Sequence, residues 1–220
     1  MARSISADMA EYLALPKGDG RHPAIVVIQE WWGVNDQIKK VCDKWVAEGF
    51  IAFAPDLFHG ETAAYGDSDK AQKLMSGLDR VKALAEVTAA IEKVRTHPRS
   101  NGKVAVTGYC MGGAFTLAAA ASVPGVAAAV PFYGMPPGAD WSKVTAPVQL
   151  HVAEHDDWVT VDAAKKLQAT FTEHGKSLQL FTYDAHHAFC NEFRPEVYNA
   201  AAAKQAWDRA IAFVKQHASA

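Results

Sequence analysis

The chain has 220 residues, half of them apolar and 21% charged, with a formal net charge of −2. That length suits one domain over 1–220 with a core burying about 70 to 75% of the unfolded surface, and the charge balance excludes the basic surplus that nucleic acid or an anionic membrane would call for. The cysteines Cys42, Cys110 and Cys190 show no framework spacing and no CxxC pair, so reduced thiols in a cytoplasmic protein are expected.

In chain order, "MARSISADMAEY" has no apolar export segment, and no run of 18 apolar residues follows it, so neither secretion nor membrane spanning is expected. Strand-length apolar runs then appear at 24–29, 50–55, 103–108, 126–134, 147–153 and 178–183. Short runs of this kind suit strands buried on both faces of a parallel sheet. Between them, apolar residues recur every three or four positions: Ile38, Val41 and Trp45; Val81, Leu84, Val87, Ile91 and Val94; Ala164, Leu167 and Phe171; and Ala203, Trp207, Ile211 and Val214. Each set marks one buried helix face. Alternating strands and helices predict an α/β fold with a mostly parallel central sheet, flanked by helices and joined by right-handed crossovers. The least patterned stretch, "DLFHGETAAYGDSDKAQ" from Asp56 to Gln72, reads as a long loop or cap over the sheet edge.

Within "KVAVTGYCMGGAFTLAAAA" a strand runs into Gly108-Tyr109-Cys110-Met111-Gly112 and a helix-forming run follows. This is the setting of the G-x-S-x-G nucleophile elbow, with cysteine in place of serine. Glycines two residues to either side let strand and helix pack closely around a strained turn. A thiol there also feels the positive end of the helix dipole, which favours thiolate. The same pattern is open to two other readings, a small buried cysteine at a tight turn or a phosphate-binding glycine turn.

The downstream residues discriminate between these readings. A nucleophile of this type needs a histidine base and a carboxylate to orient it, in the order nucleophile, acid, histidine. "PVQLHVAEHDDWV" ends in Asp156 and Asp157, and "LQLFTYDAHHAF" ends in Asp184, His186 and His187. Both groups fall just beyond strand ends, where open α/β sheets place ligands. Taken singly, the aspartates read equally well as a helix cap and the histidines as a solvated loop.

Together with "QEWWGVN", "APDLF", "SNGKVAVTGYCMGG", "HDDWVT" and "HHAFCNEFRPEVYNAAAA", these residues resemble the dienelactone hydrolase (carboxymethylenebutenolidase) family of α/β-hydrolases from about His22 to the C-terminal helix. The resemblance implies an esterase or lactonase with a catalytic triad of Cys110, Asp156 and His187, with Asp156 preferred over Asp157 and His187 over His186. It implies that Glu30 pairs with the cysteine and controls its protonation. It further implies an oxyanion hole from the backbone N–H groups of Trp31 and Met111. No metal or organic cofactor is required, and the expected partner is a small ester, lactone or thioester, handled by a monomer.

The sequence also departs from that pattern. The arginines that hold a substrate carboxylate in the family are missing: "PDLFHGET" has none, and the position four past His187 is Asn191. Arg194 reads as a surface residue ahead of Pro195, while His59 and Tyr65 are candidates to line a less charged pocket. Trp31 and Trp32 serve either that pocket or the core; Cys42 reads as core and Cys190 as core or pocket wall. Two other classes compete. One is a metal-dependent hydrolase using His151, His155, Asp156, His186, His187 and Cys190; the other is a non-catalytic ligand-binding protein on the same fold.

Overall fold

A computed structural model describes residues 11–218; the expectation of no export segment at the N-terminus falls mostly outside them. Seven strands form one sheet in the order β1-β3-β2-β4-β5-β6-β7. They are β1 (Tyr12–Ala14), β2 (His22–Ile28), β3 (Ile51–Ala54), β4 (Ser100–Tyr109), β5 (Val126–Phe132), β6 (Val148–His155) and β7 (Leu178–His186). Every pairing is parallel except β1 with β3. The predicted parallel sheet is thus observed, with a short antiparallel edge that its three residues did not announce.

Six helices cover the two faces: α1 (Asp36–Ala47), α2 (Ser68–Gly77), α3 (Arg80–Arg95), α4 (Met111–Ser122), α5 (Val161–Glu173) and α6 (Ala200–Ala218). Strand β2 shows why both faces must be covered, because Ala24 through Ile28 are all fully buried. Ala24, Val26 and Ile28 belong to the core on the face covered by α3 and α4, and by α5 farther along the sheet. Ile25 and Val27, pointing the other way, belong to the core on the face covered by α1, and by α6 farther along the sheet. This two-sided burial is what a continuous apolar run in a parallel sheet requires. Truncating one of these side chains would cost about 2 to 4 kcal/mol.

Local signals set the helix starts. Asn35, Asp67, Asp79 and Thr160 each accept a hydrogen bond from a first-turn N–H of α1, α2, α3 and α5. Such caps satisfy donors that the helix cannot. Asp67 also explains where the expected loop over Asp56–Gln72 was drawn too long, since α2 begins at Ser68. Only Ala71 of α2 is buried, so the helix has no apolar stripe to read. Two predicted faces need correction. Val81 is 81% exposed rather than core, and the buried face of α6 runs through Ala202, Ala206, Ala210, Phe213 and Val214, with Ala203, Trp207 and Ile211 on its flank. Small alanines line the contact over most of α6, with Trp207 and Ile211 beside it, while Phe213 and Val214 fill it near the C-terminal end.

Five strands deliver side chains to one edge. Glu30 lies two residues past β2, while Cys110, Tyr133, Asp156 and His187 each follow directly on β4, β5, β6 and β7. Crossover topology places these C-terminal ends side by side. Among the described residues no helix is long and apolar enough to cross a membrane.

Candidate active site

Cys110 sits at φ 55 and ψ −117 between β4 and α4. A non-glycine residue at positive φ stores strain, on the order of 1 to 3 kcal/mol, and persists only where its surroundings enforce it. Here they do. The Cys110 N–H donates to the Phe132 carbonyl at 3.0 Å, and its own carbonyl accepts from the N–H groups of Gly113 and Ala114. The glycine spacing also has a steric cause. A Cβ on Gly108 would lie 2.3 Å from the Gly112 carbonyl oxygen, and one on Gly112 would lie 2.3 Å from that of Ile28. Gly134 is tighter still, since a Cβ there would meet the Cys110 carbonyl oxygen at 1.9 Å. Three of the four non-glycine residues at positive φ among those described, Cys110, Tyr133 and Ala188, border this site.

His187 is bonded to Asp156, its Nδ1 lying 2.7 Å from Oδ2. An ionised carboxylate can only accept, so Nδ1 carries the proton and Nε2 is left facing the pocket. The other Asp156 oxygen accepts from the N–H groups of Trp158 and Val159 at 2.9 and 3.1 Å. These bonds separate Asp156 from Asp157, which lies on the cavity rim. They also replace the helix-cap reading, because the cap of α5 is Thr160. The imidazole is held edge-on by Trp158 and Tyr133, with ring centroids at 4.6 and 5.1 Å.

The electrostatics follow from these contacts. Burial alone would push His187 down, but the bond to Asp156 and the neighbouring Cys110 thiol outweigh it and hold the imidazole up at about 10. Burial would likewise raise Asp156, yet His187 and the two backbone N–H groups keep it below the usual carboxylate range. Nε2 is buried without a hydrogen-bond partner; the thiol acts on it from nearby, outside hydrogen-bond geometry. A buried nitrogen left open in this way is what an incoming proton or substrate oxygen would occupy.

Glu30 is buried as well, and burial pushes its carboxyl up, with Asn191, His187, Arg194 and Tyr133 offsetting only part of the effect. Its Oε2 accepts from Asn191 Nδ2 at 2.7 Å and its Oε1 from the Tyr133 hydroxyl at 3.4 Å. No hydrogen bond joins it to Cys110 among the described residues. The backbone N–H groups of Trp31 and Met111 are without protein acceptors in the same sense; that of Met111 opens α4 and has no intrahelical partner.

The cavity over these groups measures about 830 Å³. Trp31, Trp32 and Trp158 form an aromatic wall, with Trp31 set against both of the others at 5.1 and 6.4 Å. Trp32 thus belongs to both core and pocket. Ser68, Gln72 and Met75 of α2 close another side, a contribution hidden in the sequence by that helix's lack of pattern. Arg194 is not the surface residue expected: it lines the cavity, lies over the Trp32 ring at 5.6 Å and pairs with Glu196 at 2.7 Å.

Several candidates do not enter. His59 is exposed and pairs with Glu86 on α3, and Tyr65 is absent from the cavity wall although it reaches Asn191. Cys42 is core, its thiol pushed well up by burial. Cys190 lies behind the site, where burial raises it, and it lines a separate cavity of about 160 Å³ with Gln37 and Lys44. The six residues considered as metal ligands do not converge. His151 is stacked within the sheet with both nitrogens bonded, and His155 turns to Asp184 at the surface. Tyr133 and Asn191, which contact Glu30 and, for Tyr133, His187, are the neighbours of the candidate site that sequence reading missed.

Comparison with known proteins agrees with this geometry. The sequence profile of the dienelactone hydrolase family matches residues 9–218. Protein usf of Aquifex pyrophilus is 36% identical over 221 residues, covering 94% of this chain and 92% of that protein. A Bradyrhizobium protein named "Probable 2-oxo-3-(5-oxofuran-2-ylidene)propanoate lactonase" is 30% identical, covering 94% of this chain and 88% of its own length. Among solved structures, a dienelactone hydrolase-like promiscuous phosphotriesterase from metagenomic libraries superposes with a TM-score of 0.81 at 24% identity, over 91% of this chain and 89% of that one; it shares the fold. The chain is a hydrolase that belongs to the dienelactone hydrolase family of α/β-hydrolases.

Proposed function

We propose that the chain, acting as a single domain, hydrolyses a small ester, lactone or thioester through an acyl group carried on Cys110. The observation that carries this reading is the Asp156–His187 pair, whose open Nε2 is set beside a thiol at a strained strand-to-helix turn. At neutral pH the thiol proton rests on Nε2, consistent with the raised imidazole, and in the first step the sulfur attacks the substrate carbonyl carbon as a thiolate. The negative charge passes to the carbonyl oxygen, placed for the N–H groups of Trp31 and Met111. Each such donor contributes about 3 kcal/mol to transition-state stabilisation in related chemistry. Collapse restores the carbonyl and breaks the bond to the alkoxide or thiolate leaving group, which takes the proton from His187. Water then attacks the thioester as His187 accepts its proton, and the acid departs as the thiol regains a hydrogen. Asp156 keeps the imidazole in the required tautomer and favours its protonated form.

The aromatic wall favours a flat acyl or alcohol portion, and the lactonase relative supports cyclic esters as one class. Arg194 is the guanidinium on the cavity wall, yet it already pairs with Glu196. An anionic substrate would have to compete for it, so neutral esters are favoured over acidic ones. Stopped-flow mixing with p-nitrophenyl acetate tests the scheme. A burst of p-nitrophenolate equal to the enzyme concentration, lost in Cys110→Ala, is the expected result; linear release at an unchanged rate in that variant would overturn it.

A further inference from the structure

Asn191 is fully buried, and a chain of neutral groups runs through it from helix α1 to the carboxyl of Glu30. At one end Asn35 caps α1 through Oδ1, and its Nδ2 donates to the Tyr65 hydroxyl at 3.0 Å. The Tyr65 oxygen lies 3.2 Å from Asn191 Nδ2 and 3.4 Å from Asn191 Oδ1. That Oδ1 also accepts from the Phe193 N–H at 3.1 Å, and Nδ2 donates to Glu30 at 2.7 Å. Each polar atom of the Asn191 amide is therefore committed, and the strongest of its bonds fixes Glu30.

Nothing in the packing requires this chemistry. The Tyr65 ring contacts Trp32 at 5.4 Å between centroids, and a phenylalanine would make the same contact. The hydroxyl adds a link to one buried acid whose immediate hydrogen-bond partners are neutral. Around that acid stand Tyr109 at the end of β4, Tyr133 after β5, Tyr65 on the loop ahead of α2, and His187, Cys190 and Arg194 after β7. Only His187 and Arg194 among these can bring positive charge, and neither is bonded to Glu30.

We propose that Asn191 and Tyr65 are positioning residues for Glu30, holding its carboxyl toward the α1 end of the site and out of hydrogen-bond contact with Cys110. The inference rests on the reading of Glu30 as the group that controls Cys110. It gives the loop that carries Tyr65 a hold on the acid through Asn191.

The test is kcat/KM for p-nitrophenyl acetate against pH in wild type, Tyr65→Phe, Asn191→Ala, Glu30→Gln and the double variant Tyr65→Phe/Glu30→Gln. Losing the amide donor raises the Glu30 carboxyl, so Asn191→Ala should move the acid limb upward by about one pH unit, a loss of about tenfold on that limb. Tyr65→Phe acts one bond further away and should give about threefold in the same direction, with the alkaline plateau within twofold. The Tyr65→Phe shift should vanish where Glu30 is already glutamine. An equal loss at every pH, the same change in the Glu30→Gln background, or no change would overturn the proposal. Tyr65→Phe keeps the ring, so it carries the test if Asn191→Ala does not fold. The two readings fail separately. A wild-type Cys110 that never takes up acetyl removes the control of Cys110 altogether. An acetylated Cys110 with a Glu30→Gln effect but no Tyr65→Phe effect removes only the positioning.

Discussion

Two histidines near the same sheet edge are both largely withdrawn from solvent, His151 completely and His187 to 13% side-chain exposure, and they do opposite things. His151 lies within β6, stacked between Phe132 and Phe181 at 4.6 and 5.7 Å. One of its nitrogens meets the Tyr183 hydroxyl at 2.8 Å and the other the Gln149 side-chain oxygen at 3.0 Å. No carboxylate bonds to it, and burial drives it down to about 3. His187 lies just past β7, bonded on one side to Asp156 and open on the other, and is held at about 10. The difference is not burial but partners. A neutral cage makes histidine a core residue, whereas a carboxylate on one nitrogen and an unfilled second nitrogen suit it to the base role proposed for His187.

The largest break in this comparison is to give His187 a neutral partner like those of His151. Asp156→Asn should lower kcat by about 10⁴-fold while the protein stays folded, since the tautomer and the charge support are lost together. Circular dichroism beside steady-state assays checks both halves. A smaller effect is expected from the other histidine. His151→Leu leaves the Tyr183 hydroxyl and the Gln149 oxygen short of partners and should cost about 2 to 3 kcal/mol of stability. Activity per folded molecule should remain within about threefold, as read by urea unfolding and active-site titration.

The two histidines should also tilt stability against pH in opposite senses. For His187 the folded value lies above the unfolded 6.5, so its contribution is complete below pH 6.5 and disappears as pH rises through about 10. For His151 the folded value lies below 6.5, so it favours unfolding increasingly as pH falls from 6.5 toward about 3. Melting temperatures across pH 4 to 10, in a span set by these two values, should show Asp156→Asn flattening the alkaline side and His151→Leu the acid side. The smallest effect concerns Cys110. Because its φ of 55 is strained, Cys110→Gly should be more stable than Cys110→Ala by about 1 kcal/mol. Equal melting points would show that the turn carries no such strain.

How much of this was legible in the sequence follows from how local each signal is. The run from β4 into α4 was readable because apolar strand, glycine spacing and alanine-rich helix are contiguous, and the steric need for Gly108 and Gly112 lies within that same turn. Asp156 and His187 were readable because each ends a strand. Choosing them over Asp157 and His186 took the family pattern, since neighbours differ only in which way they point. Tyr133 looked like the close of an apolar strand, and its place under His187 depends on Gly134 pressing against Cys110 from another crossover. Asn191 read only as a missing arginine. Its bond to Glu30 spans 161 positions, and no spacing rule reaches that far. Helix α2 was hidden for a different reason, as a polar segment held by its cap with a single buried residue.

The central claim is that a thioester forms on Cys110, and intact-mass spectrometry of enzyme quenched with acid after mixing with p-nitrophenyl acetate tests it most directly. The account predicts one acetyl group per wild-type chain, located on the peptide that contains Cys110, formed far more slowly in Asp156→Asn and absent from Cys110→Ala. Acetyl on another residue, or turnover by Cys110→Ala at the wild-type rate, would contradict it.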